Sequence, residues 1–116
     1  MHIEELNFSD YERVIHATDD ISGLNCFVAI DSIKLGPALG GVRFWNYETD
    51  DDALNDVLRL ARGMTYKNSL AELNDGGGKA VAGAGDVIIF LDVVCGVNLV
   101  MYSRSLGIHP TSSAVI

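Results

Sequence analysis

Two lysines and a run of glycines hold the chemistry that this sequence offers. In the stretch RGMTYKNSLAELNDGGGKAV, from Arg62 to Val81, Lys67 stands near the end of an amphipathic segment, and Lys79 follows Gly76, Gly77 and Gly78. A cation on an apolar helix face is costly to bury unless something pairs with it. After three glycines, backbone can approach a ligand with no Cβ in the way. Two such cations close in sequence form a candidate site for a small anion. A lysine serves as a general base near neutral pH only when burial or a neighbouring cation lowers its pKa. The plain alternative is two solvated surface lysines.

Other patterns fail on inspection. GGGK invites a phosphate-loop reading, but Leu73 stands where that pattern needs its first glycine, and Ala80 where it needs Ser or Thr. Gly83-Ala84-Gly85 invites a dinucleotide fingerprint, but Ile88 occupies the third glycine position. His2, His16 and His109 have no spacing partner, so a metal site is not expected. Asp50 to Asp52 reads as a helix start and not as a metal cluster.

The elements that must position the lysines are legible in part. Thr49 followed by three aspartates predicts a capped helix that runs toward Ala71 or Leu73. Ala53, Val57, Leu60, Met64 and Lys67 fall at spacings of 3 and 4, which makes Lys67 the polar member of an apolar stripe. Asn74, Asp75 and the glycines are expected to end the helix in a turn, with a strand opening at Lys79. Leu24 to Ile33 predicts a strand with Phe27, Ala29 and Asp31 on one face and Val28, Ile30 and Ser32 on the other. Asp19 to Gly23 is a turn. Before it, Tyr11 to Ala17 fits a short helix capped by Ser9 and Asp10, or a strand over Arg13 to Thr18. Ala38 to Trp45 predicts a returning antiparallel strand, weakened by Gly40 and Gly41. Further on, Val87 to Leu91 reads as strand, Val93 to Tyr102 as strand or buried helix, and Leu106 to Ile116 as loop or frayed end.

Two stretches at matching spacing carry a family likeness. RGMTYKNSLAELNDGGGKAV and LGPALGGVRFW, from Leu35 to Trp45, resemble the paired motifs of the Glu/Leu/Phe/Val amino-acid dehydrogenases, nearest the leucine and phenylalanine branch. The resemblance runs from about Ser9 to Val81 and favours the strand over Arg13 to Thr18. It implies an α/β fold, a mixed sheet with one long helix packed on it. It implies Lys79 as the catalytic base that activates water during oxidative deamination, and Lys67 as the holder of the substrate carboxylate. Gly40 and Gly41 would let backbone approach the substrate, and Leu39 and Met64 would line its side-chain pocket; for the last two, plain core is the competing reading. The two ammonium groups are then expected on one side of the sheet, within about 10 Å, where screening by salt is only partial.

The likeness stops where composition changes. Of 24 charged residues, 21 lie in positions 1–79, and only Asp86, Asp92 and Arg104 follow. Residues 1–82 therefore read as the dehydrogenase-like region, and 83–116 as a divergent apolar tail that completes or extends the same domain. The family's NAD-binding domain and its downstream catalytic aspartate motif find no counterpart, so the chain is expected to bind no cofactor and to be a truncated, inactive substrate-binding and dimerisation domain. An assembly protein and a small amino-acid or 2-oxo-acid binding module are the alternatives. The net charge of −8 argues against nucleic acid. No signal-peptide pattern or membrane-length apolar run is seen, and Cys26 and Cys95 read as free thiols, so a cytoplasmic protein is the simplest expectation. The resemblance, to a domain that builds the subunit interface, implies a homodimer.

Overall fold

A computed structural model of the chain describes residues 2–83, 87–93, 97–103 and 110–115. The first sheet starts from a hairpin. Strand β2 (Arg13–Asp19) and strand β3 (Leu24–Ser32) pair antiparallel, with His16 opposite Phe27. The expected turn between them is held by Asp19, whose carboxylate accepts from the Ser22 amide at 3.0 Å and the Ser22 hydroxyl at 2.5 Å. Gly23 follows at φ 72°, a conformation that L side chains resist. Strand β1 (His2–Leu6), which the sequence did not announce, pairs with β2 and forms the sheet edge.

Alternation along β3 works as expected. Phe27 and Ala29 join Val14 and Val81 in a core with Ala53, Val57 and Ala61 of the helix. Cys26 and Val28 join Ile15, Ala17, Ala80 and Ala82 on the opposite face. Both faces of β3 are thus apolar, as a central strand requires.

The helix α1 (Asp50–Leu70) starts where predicted: the Thr49 side chain accepts from the Asp52 amide at 3.1 Å. Its buried residues are Ala53, Val57, Ala61 and Asn68. The stripe therefore turns at 3.6 residues and passes through Asn68, one position beyond the expected Lys67, which is exposed. The helix ends as expected, at Leu70 with Ala71 as its cap, but not through Asn74, Asp75 and the glycines. It stops before the glycines, in a turn where the Leu73 amide donates to the Asn68 carbonyl and the Glu72 amide to the Ser69 carbonyl, both at 3.0 Å. Glu72 takes φ 58° in that turn, the left-handed position usually given to glycine.

The glycines themselves lie in the sheet. Strand β6 (Gly76–Ala82) includes all three, so Lys79 is its middle residue and does not open it. A glycine run has poor strand propensity, and only its position between two partners makes it a strand. On one side β6 pairs antiparallel with β3; on the other it pairs parallel with β4 (Ala38–Leu39) and β5 (Val42–Phe44). The predicted single strand over Ala38 to Trp45 is therefore two short strands broken at Gly40 and Gly41. They do run opposite to β3, but β6 is inserted between. The order is β1-β2-β3-β6-β4, with β5 also on β6 and α1 crossing from β5 to β6.

Strands β7 (Val87–Val93), β8 (Val97–Ser103) and β9 (Pro110–Val115) pair with one another as an antiparallel three-stranded sheet. Of the ambiguous stretch Val93 to Tyr102, the described residues Val93 and 97–102 are strand. The sheet also corrects the expected loop or frayed end, because Pro110–Val115 finds a partner in β8 that local sequence does not reveal. The turn expected at Gly83 to Gly85 lies largely outside the described residues, as does Cys95.

Candidate functional site

Lys79 sits opposite Ala29 in the β3–β6 ladder, two residues from Val81. Val81 packs in the helix-side core, and side chains alternate along a strand, so Lys79 leaves the sheet on the face that α1 covers. It is half-buried. A Cβ placed on Gly41 would lie 3.5 Å from the Lys79 Nζ, and the Gly41 carbonyl accepts from the Ala80 amide at 3.1 Å. The ammonium group thus stands over bare backbone at the break between β4 and β5. Gly40 has a different reason for being glycine. Its Cβ would fall 1.6 Å from the Gly78 carbonyl oxygen, so the missing side chain admits β6 itself.

Lys67 extends from the last turn of α1, exposed, where its charge complements the negative end of the helix dipole. Its side chain has no ion-pair partner among the described residues. Met64, one turn earlier, is half-buried, and Leu39 on β4 is 47% exposed. The residue that joins these elements is Asn68. It is 3% exposed, and its Nδ2 donates to the Gly76 carbonyl at 2.7 Å and to the Leu39 carbonyl at 3.3 Å. Lys67 is thereby adjacent in sequence to a direct tie between helix, β4 and β6.

A second polar clamp holds the helix from the other side. Asp31 of β3 accepts from Arg62 Nε at 3.1 Å and from the Thr65 hydroxyl at 2.7 Å. The Arg62 guanidinium also lies 4.7 Å from the Tyr11 ring centroid, and the Tyr11 hydroxyl donates to the Leu58 carbonyl at 3.1 Å. Burial pushes the Tyr11 hydroxyl above its ordinary pKa, against the opposing effect of Arg62. These residues border an open hollow of about 600 Å³. Nearer the start of the helix, Asp56 gathers the Tyr47 hydroxyl at 2.5 Å, Arg59 at 2.7 Å and Arg43 at 3.2 Å. Burial would raise the Asp56 carboxyl; the bonds from Tyr47 and Arg59, with Arg43, outweigh it and hold the group below its ordinary value. Tyr47 is pushed up to about 12, by burial first and then by Asp56. Both clusters are internally satisfied and tie loops to the helix.

A family model described as "Glu/Leu/Phe/Val dehydrogenase, dimerisation domain" matches residues 8–86. The chain belongs to that family. It is 57% identical over 72 residues to leucine dehydrogenase of Bacillus subtilis (strain 168), a match covering 62% of this chain and 20% of the relative. Valine dehydrogenase of Streptomyces virginiae is 55% identical over 71 residues, 61% of this chain and 20% of that protein. Among solved structures, L-tryptophan dehydrogenase from Nostoc punctiforme matches with a TM-score of 0.61 and 41% identity, over 63% of this chain and 22% of that one. The chain spans about a fifth of the length of these relatives. The mixed α/β sheet with its single packed helix is the fold that membership in the dehydrogenase family implied.

Within this dehydrogenase domain the glycine track is not a nucleotide cradle. A Cβ on Gly77 would meet Thr65, one on Gly76 the Ser32 carbonyl, and one on Gly78 the Ala38 side chain. The space is filled by protein, so the residues do not fit a dinucleotide. Among the described residues no cluster of His, Cys, Asp or Glu could hold a metal, and no helix is long and apolar enough to cross a membrane. Cys26 is buried and free, its thiol pushed up to about 12 by burial, which makes it unreactive. Sequence reasoning missed Asn68 and Asp31. A usable signal existed for the first: continuing the Ala53, Val57, Ala61 spacing by seven arrives at Asn68.

Proposed function

We propose that this chain supplies the substrate-binding half of a leucine-type amino-acid dehydrogenase site, and that it self-associates. The observation that supports the reading most is Lys79 Nζ standing beside the bare Gly41 backbone, on the helix-covered face. In this reading Lys67 binds the carboxylate of an amino acid or 2-oxo acid. Leu39 and Met64 border the substrate side chain, and the Gly40–Gly41 backbone runs alongside. Lys79 takes the proton from the water that attacks the imine carbon. A nicotinamide cofactor supplies hydride transfer in such reactions, and these residues offer it no cradle. The 116 residues alone are therefore read as competent to bind and not to turn over, with residues 83–116 extending the same domain.

Calorimetric titration of 2-oxo-4-methylpentanoate and L-leucine into the purified chain tests this. Binding is expected, and Lys67→Ala should abolish it. NADH should not be oxidised when the oxo acid and ammonia are added. Absence of binding removes the site, and steady NADH oxidation removes the claim that the chain does not turn over.

A further inference from the structure

Val81 packs against Ala53, Val57 and Ala61 of the helix, but Gly77 leaves the start of β6 without a side chain toward α1, so apolar contact does not fix how the last turns of the helix seat there. Gly77 lets the backbone of Thr65 approach directly. In that zone the helix is held by polar bonds. Asp31 grips Arg62 and Thr65 from β3. Asn68, the buried polar residue of the described core, grips β6 through the Gly76 carbonyl and β4 through the Leu39 carbonyl. An amide with two donors can satisfy two carbonyls on different strands at once.

We propose that Asn68 is a positioning residue for the lysine site, an inference that rests on the reading of Lys67 and Lys79 given above. One end of its bond pattern fixes the turn that carries Lys67. The other fixes Leu39, the residue before Gly40 and Gly41, and so the backbone on which the Lys79 ammonium rests. Loss of these bonds frees β4 from the helix, lets the Gly40–Gly41 break drift from β6 and separates the two halves of the site. Asn68 itself touches no substrate; it acts through the register of helix and edge strand.

The test has two arms on the full chain. In the first, the Ala80 amide, which donates to the Gly41 carbonyl, reports on the edge without any ligand. In Asn68→Ala it should exchange with solvent at least tenfold faster, while the amides of β2 and β3 keep their wild-type rates. Uniform acceleration across the sheet, or none at Ala80, overturns the proposal. In the second arm, 2-oxo-4-methylpentanoate is titrated at a temperature where circular dichroism shows each variant folded. Asn68→Ala should bind at least tenfold more weakly. Asn68→Asp should bind weakly at neutral pH, where a carboxylate faces two carbonyl oxygens. It should recover as the pH falls, because the protonated group regains an O–H donor. Tyr47→Phe, in the cluster at the other end of the helix, loses stability but keeps wild-type affinity. If Asn68→Ala binds as wild type does, the proposal fails. If wild type binds nothing, the substrate reading fails, and the Ala80 arm still decides whether Asn68 sets the edge.

Discussion

At the scale of single residues, the glycines divide by what their missing Cβ admits. On Gly77 a Cβ would lie 2.1 Å from the Thr65 hydroxyl, 2.2 Å from the Thr65 amide nitrogen and 2.6 Å from the Ala61 carbonyl oxygen. Two of these are backbone atoms of a packed helix and cannot swing aside. Gly77→Ala should therefore destabilise the chain by about 3 kcal/mol, the upper range for forced overpacking. Gly63, in the helix, has nothing within 4 Å of its Cβ position. There Gly→Ala should stabilise by about 1 kcal/mol, through helix propensity alone. Urea denaturation of both variants checks the contrast, and equal effects would show that the close approach is not tight. The same distances explain why the glycines were misread as a turn. Sequence shows that side chains are absent; it does not show what occupies their place.

At the scale of elements, both ends of α1 are capped, but only one end is well made. Thr49 and the three aspartates suit the helix start in every respect that sequence can show. The other end closes with paired bonds from Leu73 and Glu72, and it forces Glu72 to φ 58°. A residue with a Cβ is strained there, whereas glycine is not. Glu72→Gly should raise stability by about 1 kcal/mol, read as a higher melting temperature; a lower one would mean that Glu72 makes a compensating contact. The strand assignments show the same limit from another side. Leu24–Ser32 was readable because its alternation is written in its own side chains. Over Ala38 to Trp45 the strand was readable but its break at Gly40 and Gly41 was not, and β9 was not readable at all, since a serine-rich end becomes a strand only through its partner.

At the scale of the whole molecule, the sheet ends at β1, an edge strand that carries the charged residues Glu4 and Glu5. Large apolar side chains remain in solvent near the helix end, among them Ile33, Leu35, Leu70 and Leu73. The self-association proposed above rests on the family, which is described as a dimerisation domain. The chain should sediment as a dimer at micromolar concentration. Sedimentation as a monomer over that range would count against self-association while leaving the lysine site intact.

The sequence by itself determined the family, the helix start, and the central strand with its two faces. These rest on local side-chain pattern and on motif spacing, which survive without coordinates. The tertiary structure decided where the polar residue of the helix stripe falls, Asn68 and not Lys67. It decided that three glycines form a strand and that β6 separates β3 from β4. It also decided that Lys79 meets Gly41 while Gly40 is taken up by β6. Each of these depends on which backbone lies next to which, and a glycine run carries no side chains from which that neighbour can be read.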